Sequence, residues 1–208
     1  MMKAILIAAA TILQAYLLGS VDTGILVSKF VYHDDVRNHG SGAAGMTNML
    51  RTFGKKAAAL TAVGDVLKGV VAVCLGRWLF GHLPADAAVS PYLGVYLAAI
   101  LAVVGHSKPI YFGFKGGKAV ATSIGVLIPL AFWQLLIAVC ICLFLIWRSG
   151  FVSLGSLALV TAMPILLALS GKFGLLPLSL IILALVFWSH RENIRRLAKG
   201  EEKTWIKK

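Results

Sequence analysis

The sequence predicts an all-α integral membrane protein with seven transmembrane helices, an outer N-terminus, a cytoplasmic C-terminus and several short helices with motif loops at the cytoplasmic interface. Of the 208 residues, 59% are hydrophobic, whereas soluble domains have about 45–50%. Only 13% are charged, with 20 Lys+Arg against 8 Asp+Glu, a net charge of +12. This composition excludes disorder and a disulfide scaffold. A nucleic-acid binder needs a more polar surface, so we expect no nucleic-acid partner and one polytopic domain, 1–208.

Six apolar stretches account for the predicted spans, and they lie at 4–20, 57–80, 91–105, 119–147, 151–170 and 174–189. A spanning helix needs about 20 apolar residues to cross roughly 30 Å of hydrocarbon. The first stretch follows Lys3 as in a signal peptide, but no A-x-A cleavage site follows it, so we expect it to be retained. The fourth stretch is the longest and contains Pro129, which can break a helix.

Positive charge decides how often the fourth stretch crosses, because Lys and Arg concentrate on the cytoplasmic side. Two crossings put 16 of the 20 basic residues inside, nine before His190 and seven after it. Lys3, Arg77 and Lys172 are then outside, and Lys68 lies within a span. One crossing would move the seven basic residues of the tail outside. The distribution therefore favours two short helices here and seven spans in total.

A Gly-rich loop between two arginines follows the first span, with the sequence RNHGSGAAGMTNMLR at 37–51. Residues 40–45 match G-x-G-x-x-G, but a dinucleotide-binding fold requires a buried strand before the glycines, and the preceding VYHDDVRNH is polar. Backbone N–H groups in such loops can bind an oxyanion, and Arg can pair bidentately with phosphate. The pattern indicates an anion site; the alternative is a flexible cytoplasmic turn.

Two charged residues, Asp65 and Lys68, interrupt the second apolar stretch within the sequence GDVLKG at 64–69. They are three residues apart and can share a helix face. Charges inside a span are costly and are therefore usually functional or mutually paired. The pair is interpreted either as an anchor for neighbouring loops or as part of the chemical site.

A second Gly-rich loop has the sequence GHSKPIYFGFKGGKAVAT at 105–122. It is not a Walker A loop, because G-x-x-x-x-G-K-[ST] is absent. Lys115 and Lys118 flank a Gly pair before a predicted helix, an arrangement that favours anion binding. The alternative is ordinary inner-face charge with interfacial aromatic residues.

The fourth polar cluster combines RSGFVSLGS at 148–156 with HRENIRRL at 190–197. On a helix, His190 and Asn193 share a face. Alone, this tail could be an amphipathic helix that binds anionic lipid. The cysteines lie in apolar stretches and are interpreted as small buried side chains, so we expect no metal site. They are Cys74, Cys140 and Cys142.

Taken together and in this order, the clusters resemble the bacterial acyl-phosphate:glycerol-3-phosphate acyltransferase (PlsY) family across essentially the whole chain. The matching motifs are LLGS at 17–20, GSG..G.TN.LR at 40–51, GD..KG at 64–69, GH..P...GFKGGK.VAT at 105–122, SLGS at 153–156 and HR.NI.RL..G.E at 190–202. The resemblance implies a multi-pass enzyme of the bacterial cytoplasmic (inner) membrane, with the N-terminus in the periplasm.

The implied reaction moves a fatty acyl group from acyl phosphate to the 1-hydroxyl of glycerol 3-phosphate. It gives 1-acylglycerol 3-phosphate (lysophosphatidic acid) and inorganic phosphate, the first step of phospholipid synthesis. The resemblance implies no cofactor and no use of acyl-CoA. It also implies contact with membrane lipid and functional coupling to an enzyme that produces acyl phosphate.

The resemblance also implies roles for individual residues. The catalytic set would be Lys118, Ser41, Arg51, His190 and Asn193. The substrate-binding set would be Gly40, Gly42, Thr47, Asn48, Lys115, Gly116, Gly117, Ser153 and Ser156. A structural or additional site role is left to Asp65, Lys68 and His106. The hydroxyl proton could pass to His190 or to a phosphate oxygen of the substrate, and both remain open.

Several positions depart from the usual family pattern: residues 19–24 at the end of the first span, Ala43 in place of Asn, Ala44 and Met46 in the first loop, and Ser107, Lys108 and Ala119 in the second. They leave open a divergent paralogue with an altered substrate. A small anion transporter and a non-catalytic lipid-binding scaffold are the rival interpretations. A transporter predicts polar residues across the bilayer depth, whereas here most of them gather at one face.

Overall fold

The computed structural model describes residues 2–83, 90 and 92–205. The chain forms two compact units, Met1–Pro129 and Leu130–Lys208, so the prediction of one domain stays a prediction. Residue 91, where the third apolar stretch was predicted to begin, and the basic residues 207 and 208 lie outside the described residues.

The described residues of the first unit form five complete helices and the beginning of a sixth. These are α1 (Met2–Ser20), α2 (Thr23–Val31), α3 (Met46–Phe53), α4 (Lys55–Phe80), α5 (Tyr92–Ser107) and the start of α6 (Val120–Ser149). Short 3₁₀ turns occupy Val36–Asn38 and Ile110–Phe112. Helices α2 and α3 lie between the first two predicted spans, and α3 begins within the first Gly-rich loop.

Close packing of α1, α4 and α5 fixes which loops share an end of the first unit. Gly19 and Gly105 allow α1 and α5 to touch, because an added Cβ at either would clash with the backbone of the other helix. Small residues commonly allow such approach between membrane helices. Near the opposite end, Gly76 of α4 lies against Ala98 and Thr11. Helices α1 and α5 therefore run parallel and α4 antiparallel, so both Gly-rich loops emerge at the same end.

Helix α6 is broken at Ala131, which has φ −150° and ψ 52°. Pro129 contributes to the break, because its ring lacks an N–H and clashes with the carbonyl of the preceding turn. The segment 120–130 belongs mostly to the first unit and 132–149 to the second.

The second unit consists of the 132–149 segment, α7 (Val152–Leu169), a 3₁₀ turn (Phe173–Leu175), α8 (Leu176–Ser189) and α9 (Arg191–Ala198). Gly155 of α7 packs against the backbone carbonyl of Cys142 in α6. The backbone N–H of Trp205 donates to Gly150 O at 2.8 Å, which holds the tail beside the α6–α7 turn.

Within the described part of the chain, five helices are long and apolar enough to cross a membrane: α1, α4, the segment Tyr92–Phe112, α6 and α7. Phe173–Ser189 with Arg191–Ala198, bent by 64°, gives a sixth candidate. Large apolar side chains such as Leu6 and Trp147 are exposed on these helices, as expected of lipid-facing surfaces. The prediction of buried cysteines was wrong for Cys74 and Cys140, which are exposed; only Cys142 is buried.

Candidate functional site

The first Gly-rich loop is held in shape by the side chain of Asn48. Its Nδ2 donates to the carbonyl oxygens of Val36, His39 and Ala43 at 3.0, 2.9 and 3.0 Å. Its Oδ1 accepts from the backbone N–H of Ser41 at 3.1 Å. Asn48 is buried, so its amide contacts the backbone of its own loop.

Left-handed backbone at Gly40 (φ 59°) and Gly42 (φ 69°) turns this loop outward. A Cβ on Gly40 would clash with Asn48 Oδ1. The turn exposes Ser41, while Thr47 is half-buried and Arg51 is exposed on α3. Three residues of the predicted site therefore surround a rigid turn.

The departures in this loop fall at different depths. Ala44 is fully buried in an apolar cluster with Ile25, Val36, Met49 and Ala57, so its side chain shapes the support beneath the loop. Ala43 is half-buried and Met46 is exposed. The loss of a side-chain amide at Ala43 is the departure that bears on the exposed face.

Arg37 joins the two Gly-rich loops of the first unit. Its Nη2 and Nε bond to the carboxylate of Asp35 at 2.7 and 3.0 Å, and its Nη1 donates to Phe112 O at 3.0 Å. The Arg37 guanidinium lowers the pKa of Asp35 to about 2. The ion pair therefore persists at neutral pH and ties the first loop to the second.

We expect Asp35→Asn to lower the free energy of unfolding by about 1–2 kcal/mol at pH 7, because a charge-assisted pair is lost. The ordinary pKa of Asp is about 3.9 and the folded value is about 2. The stabilisation is therefore complete above pH 4 and disappears as the pH falls towards 2. Unfolding in detergent between pH 2.5 and 7 measures the difference.

Asp34→Asn is the matched control, because the ion pair of Asp34 with His39 at 2.7 Å is the more solvent-exposed of the two pairs, and Asp34 Oδ1 also accepts from Asp35 N at 2.6 Å. An exposed pair contributes about 0–1 kcal/mol. Equal losses in both variants at pH 7 would contradict the role given to Asp35.

The second loop brings Lys118 to the start of α6. The N–H of Gly117 donates to His106 O at 3.2 Å, and a Cβ on Gly117 would clash with the imidazole Nε2 of His106. Gly113 and Phe114 have φ values of 64° and 60°. Lys115 is exposed and Lys118 is half-buried, so Lys118 is the more closely packed of the two lysines.

Ala119 adopts a left-handed conformation, φ 61°, while fully buried. A Cβ in this region costs about 1–2 kcal/mol. We expect Ala119→Gly to raise the free energy of unfolding by about 1 kcal/mol, since the strain it relieves exceeds the added chain entropy. Ala121→Gly, within helical α6, is the control and should destabilise by about 0.5–1 kcal/mol. Destabilisation by both substitutions would contradict the assigned strain.

A buried charge cluster lies beneath the second loop. Lys68 Nζ is 2.9 Å from Asp65 Oδ1, 2.7 Å from Val21 O and 2.8 Å from His106 Nδ1. The predicted i, i+3 pair is thus present, and it connects the turn after α1 to the end of α5. Asp22, which was not among the predicted site residues, caps α2: its Oδ1 accepts from Ile25 N at 3.2 Å. Its Oδ2 has no hydrogen-bond partner among the described residues.

In the second unit, the carboxylate of Glu202 accepts hydrogen bonds from three side chains. Ser153 Oγ and Asn193 Nδ2 donate to Oε1 at 2.9 and 2.6 Å, and Arg196 Nε donates to Oε2 at 2.8 Å. Burial alone would raise the pKa of Glu202, but these three hydrogen bonds outweigh it and lower the pKa. Glu202 and Arg196 were not among the predicted site residues, although both occur in the motif HR.NI.RL..G.E.

His190 is buried at the junction of α8 and α9, with Nδ1 2.9 Å from Val186 O. A carbonyl oxygen only accepts, so Nδ1 carries the proton and Nε2 carries the lone pair in the neutral ring. This tautomer is the one that a base acting through Nε2 requires. Ser156 Oγ donates to Val152 O at 2.9 Å in its own helix, so its hydroxyl proton is engaged in a hydrogen bond within α7.

Comparison with known proteins gives consistent matches along the chain. The family model described as glycerol-3-phosphate acyltransferase matches residues 9–200. A glycerol-3-phosphate acyltransferase of Lawsonia intracellularis is 50% identical over 194 residues, covering 93% of each chain. A crystal structure of PlsY (YgiH), an integral membrane glycerol 3-phosphate acyltransferase, in its glycerol 3-phosphate form superposes with a TM-score of 0.84 at 34% identity. It covers 95% of this chain and 94% of that one.

A second crystal structure of PlsY, the lysophosphatidic acid form, gives a TM-score of 0.82 at 32% identity, again covering 95% of this chain and 94% of that one. The family model spans nearly the whole chain, and the apolar helices agree with an integral membrane protein. The chain belongs to the glycerol-3-phosphate acyltransferase family.

Proposed function

We propose that the protein transfers a fatty acyl group from acyl phosphate to the 1-hydroxyl of glycerol 3-phosphate, releasing 1-acylglycerol 3-phosphate and inorganic phosphate. The similar solved structures are described as the glycerol 3-phosphate and lysophosphatidic acid forms, which name an acceptor and a product of this reaction. The observation that carries the proposal is the bond from Arg37 to Phe112 O at 3.0 Å. It holds together two Gly-rich loops, one with Arg51 and the other with Lys115 and Lys118, and such loops supply donors that bind phosphate esters.

In the first unit, we assign phosphate binding to Lys118, Arg51, Ser41 and the exposed backbone of both loops. Arg and Lys supply charge-assisted hydrogen bonds, and the amides of Gly-rich turns supply further donors. Lys115, exposed in the same loop, adds a weaker and more screened charge.

In the second unit, we assign substrate contacts to Ser153, His190 and Asn193. The acceptor oxygen attacks the acyl carbonyl carbon, and the carbon–oxygen bond to phosphate then breaks. Acyl phosphate is a mixed anhydride and is already activated, so a protein nucleophile is unnecessary. Orientation and stabilisation of the developing oxyanion are sufficient sources of catalysis. The hydroxyl proton goes to His190 Nε2 or to a phosphate oxygen.

Comparison of acyl donors tests the substrate assignment. Purified protein in liposomes receives glycerol 3-phosphate with palmitoyl phosphate or with palmitoyl-CoA at equal concentration. We expect lysophosphatidate only from palmitoyl phosphate. Equal product from palmitoyl-CoA would contradict the donor assignment, and transport of phosphate without acyl transfer would favour the transporter.

We also propose seven spans in the bacterial inner membrane, with a periplasmic N-terminus and a cytoplasmic C-terminus. The break at Ala131 supports two short spans in α6. Lys172 Nζ lies 3.5 Å from Leu130 O, which puts the α7–α8 turn beside that break, as expected if both are periplasmic. The bond from Trp205 N to Gly150 O at 2.8 Å supports a tail on the opposite, cytoplasmic side.

Reporter fusions after residues 82, 172 and 205 test this topology. We expect periplasmic signals at the first two and a cytoplasmic signal at the third. A periplasmic signal at 205 would contradict seven spans with an outer N-terminus.

A further inference from the structure

His106 is the residue through which the buried charge cluster reaches the second loop. It is buried at the end of α5 and contacts Lys68 on one side and Gly117 on the other. The proposed function assigns it no contact with substrate. Its two ring nitrogens nevertheless face two different partners, which gives the imidazole a defined orientation.

The surroundings of Lys68 determine which nitrogen of His106 carries the proton. Three acceptors surround Lys68 Nζ: Val21 O at 2.7 Å, Asp65 Oδ1 at 2.9 Å and His106 Nδ1 at 2.8 Å. An ammonium group has three N–H donors and no acceptor, so each donor has one partner. Nδ1 therefore accepts, and the imidazole proton lies on Nε2.

The Nε2 side of the ring lies against the turn that presents Lys118. A Cβ on Gly117 would clash with Nε2 and would lie 2.9 Å from Cε1. The carbonyl of the same histidine accepts from Gly117 N at 3.2 Å. His106 thus contacts Gly117 with both its ring and its backbone, directly before Lys118.

We propose that His106 is a positioning residue for Lys118, held by Lys68 with its Nε2–H towards Gly117. The inference rests on the proposed phosphate-binding role of Lys118. Asp65 neutralises Lys68 and, with its Oδ1 3.6 Å from His106 Nδ1, faces the same edge of the ring. In the ion pair inside the span, Asp65 and Lys68 neutralise each other. Through His106, the same pair also contributes to the geometry of the second Gly-rich loop.

Two substitutions separate the two sides of the ring. His106→Asn keeps an acceptor near the Nδ1 position but removes the group at Gly117. His106→Gln places an amide near the Nε2 position and restores a donor there. We expect His106→Asn to raise the KM for glycerol 3-phosphate and to lower kcat/KM about tenfold, because a displaced Lys118 binds the phosphate more weakly and stabilises the developing charge less. We expect His106→Gln to restore KM to within about threefold of the wild type.

His82→Asn is the control, since His82 is exposed in the turn after α4 and its imidazole contacts Trp78 in the last turns of that helix; its KM should be unchanged. An unchanged KM in His106→Asn would overturn the proposal, and so would equal defects in the Asn and Gln variants.

Nitrogen NMR of the wild-type protein labelled with ¹⁵N-histidine gives a readout that does not depend on activity. The signal that disappears in His106→Gln should show an unprotonated Nδ1 and a protonated Nε2. A proton on Nδ1 would overturn the inference. If the wild type made no lysophosphatidate while this tautomer was observed, the proposed function would fail and the positioning geometry would stand.

Discussion

Lys118→Ala will lower the rate of acyl transfer by about two to three orders of magnitude while the protein remains folded. Removing one preformed donor to a developing charge costs a comparable factor in other enzymes. Lys118 is half-buried between Gly117, which is held by His106, and the left-handed Ala119. Its ammonium is therefore more fixed than that of a surface lysine, and its loss should lower the rate of acyl transfer as well as the affinity for substrate.

Lys108→Ala is the matched control, because Lys108 is exposed in the same loop and carries the same charge. Initial rates with palmitoyl phosphate and glycerol 3-phosphate, with unfolding curves for both variants, provide the comparison. We expect the Lys108 variant to retain activity within about threefold, as a screened surface charge contributes little. Wild-type turnover in Lys118→Ala would remove the phosphate-binding role from this residue.

Glu202→Ala will lower the free energy of unfolding by about 2–3 kcal/mol and activity at least tenfold, because charge-assisted hydrogen bonds are lost. Ser153, Asn193 and Arg196 all donate to this carboxylate, so its removal takes a shared hydrogen-bond acceptor from two proposed substrate-contacting side chains at once. Glu201→Ala is the control, since Glu201 is the exposed neighbour. Unfolding and initial rates of the two variants measure the effects.

The pH dependence of this site has a definite sign. The pKa of Glu202 is lowered in the folded protein, so its stabilising effect is present above the ordinary Glu value of about 4.3 and is lost as the pH falls through the folded value. Wild type and Glu202→Gln should therefore differ in stability at pH 7 and converge as the pH falls through the folded pKa of Glu202. A difference that grew at low pH would contradict the assignment.

Hydropathy was sufficient to predict α1, α4, α5, α7 and α8, because an apolar run long enough to span a membrane is a local property of the chain. The pairing of Asp65 with Lys68 followed from their spacing on one helix. The break in α6 was expected from length and charge, although the distorted residue is Ala131 rather than Pro129.

The partners of the polar side chains could not be predicted in this way. Asn48 bonds to the backbone of its own loop, and His106 meets Lys68 across 38 positions of sequence. These contacts depend on how α1, α4 and α5 pack, which the local pattern does not specify. Glu202 lies at the end of a matched motif, but its role becomes visible only when α7 and the tail are brought together.

The fate of the bridging oxygen in the acyl donor tests the central claim most directly. Palmitoyl phosphate labelled with ¹⁸O between carbonyl carbon and phosphorus is incubated with glycerol 3-phosphate and the purified protein, and the products are measured by mass spectrometry. Attack at the acyl carbon predicts labelled inorganic phosphate and unlabelled lysophosphatidate in equal amounts. Labelled palmitate, or labelled phosphate without lysophosphatidate, would contradict acyl transfer to glycerol 3-phosphate.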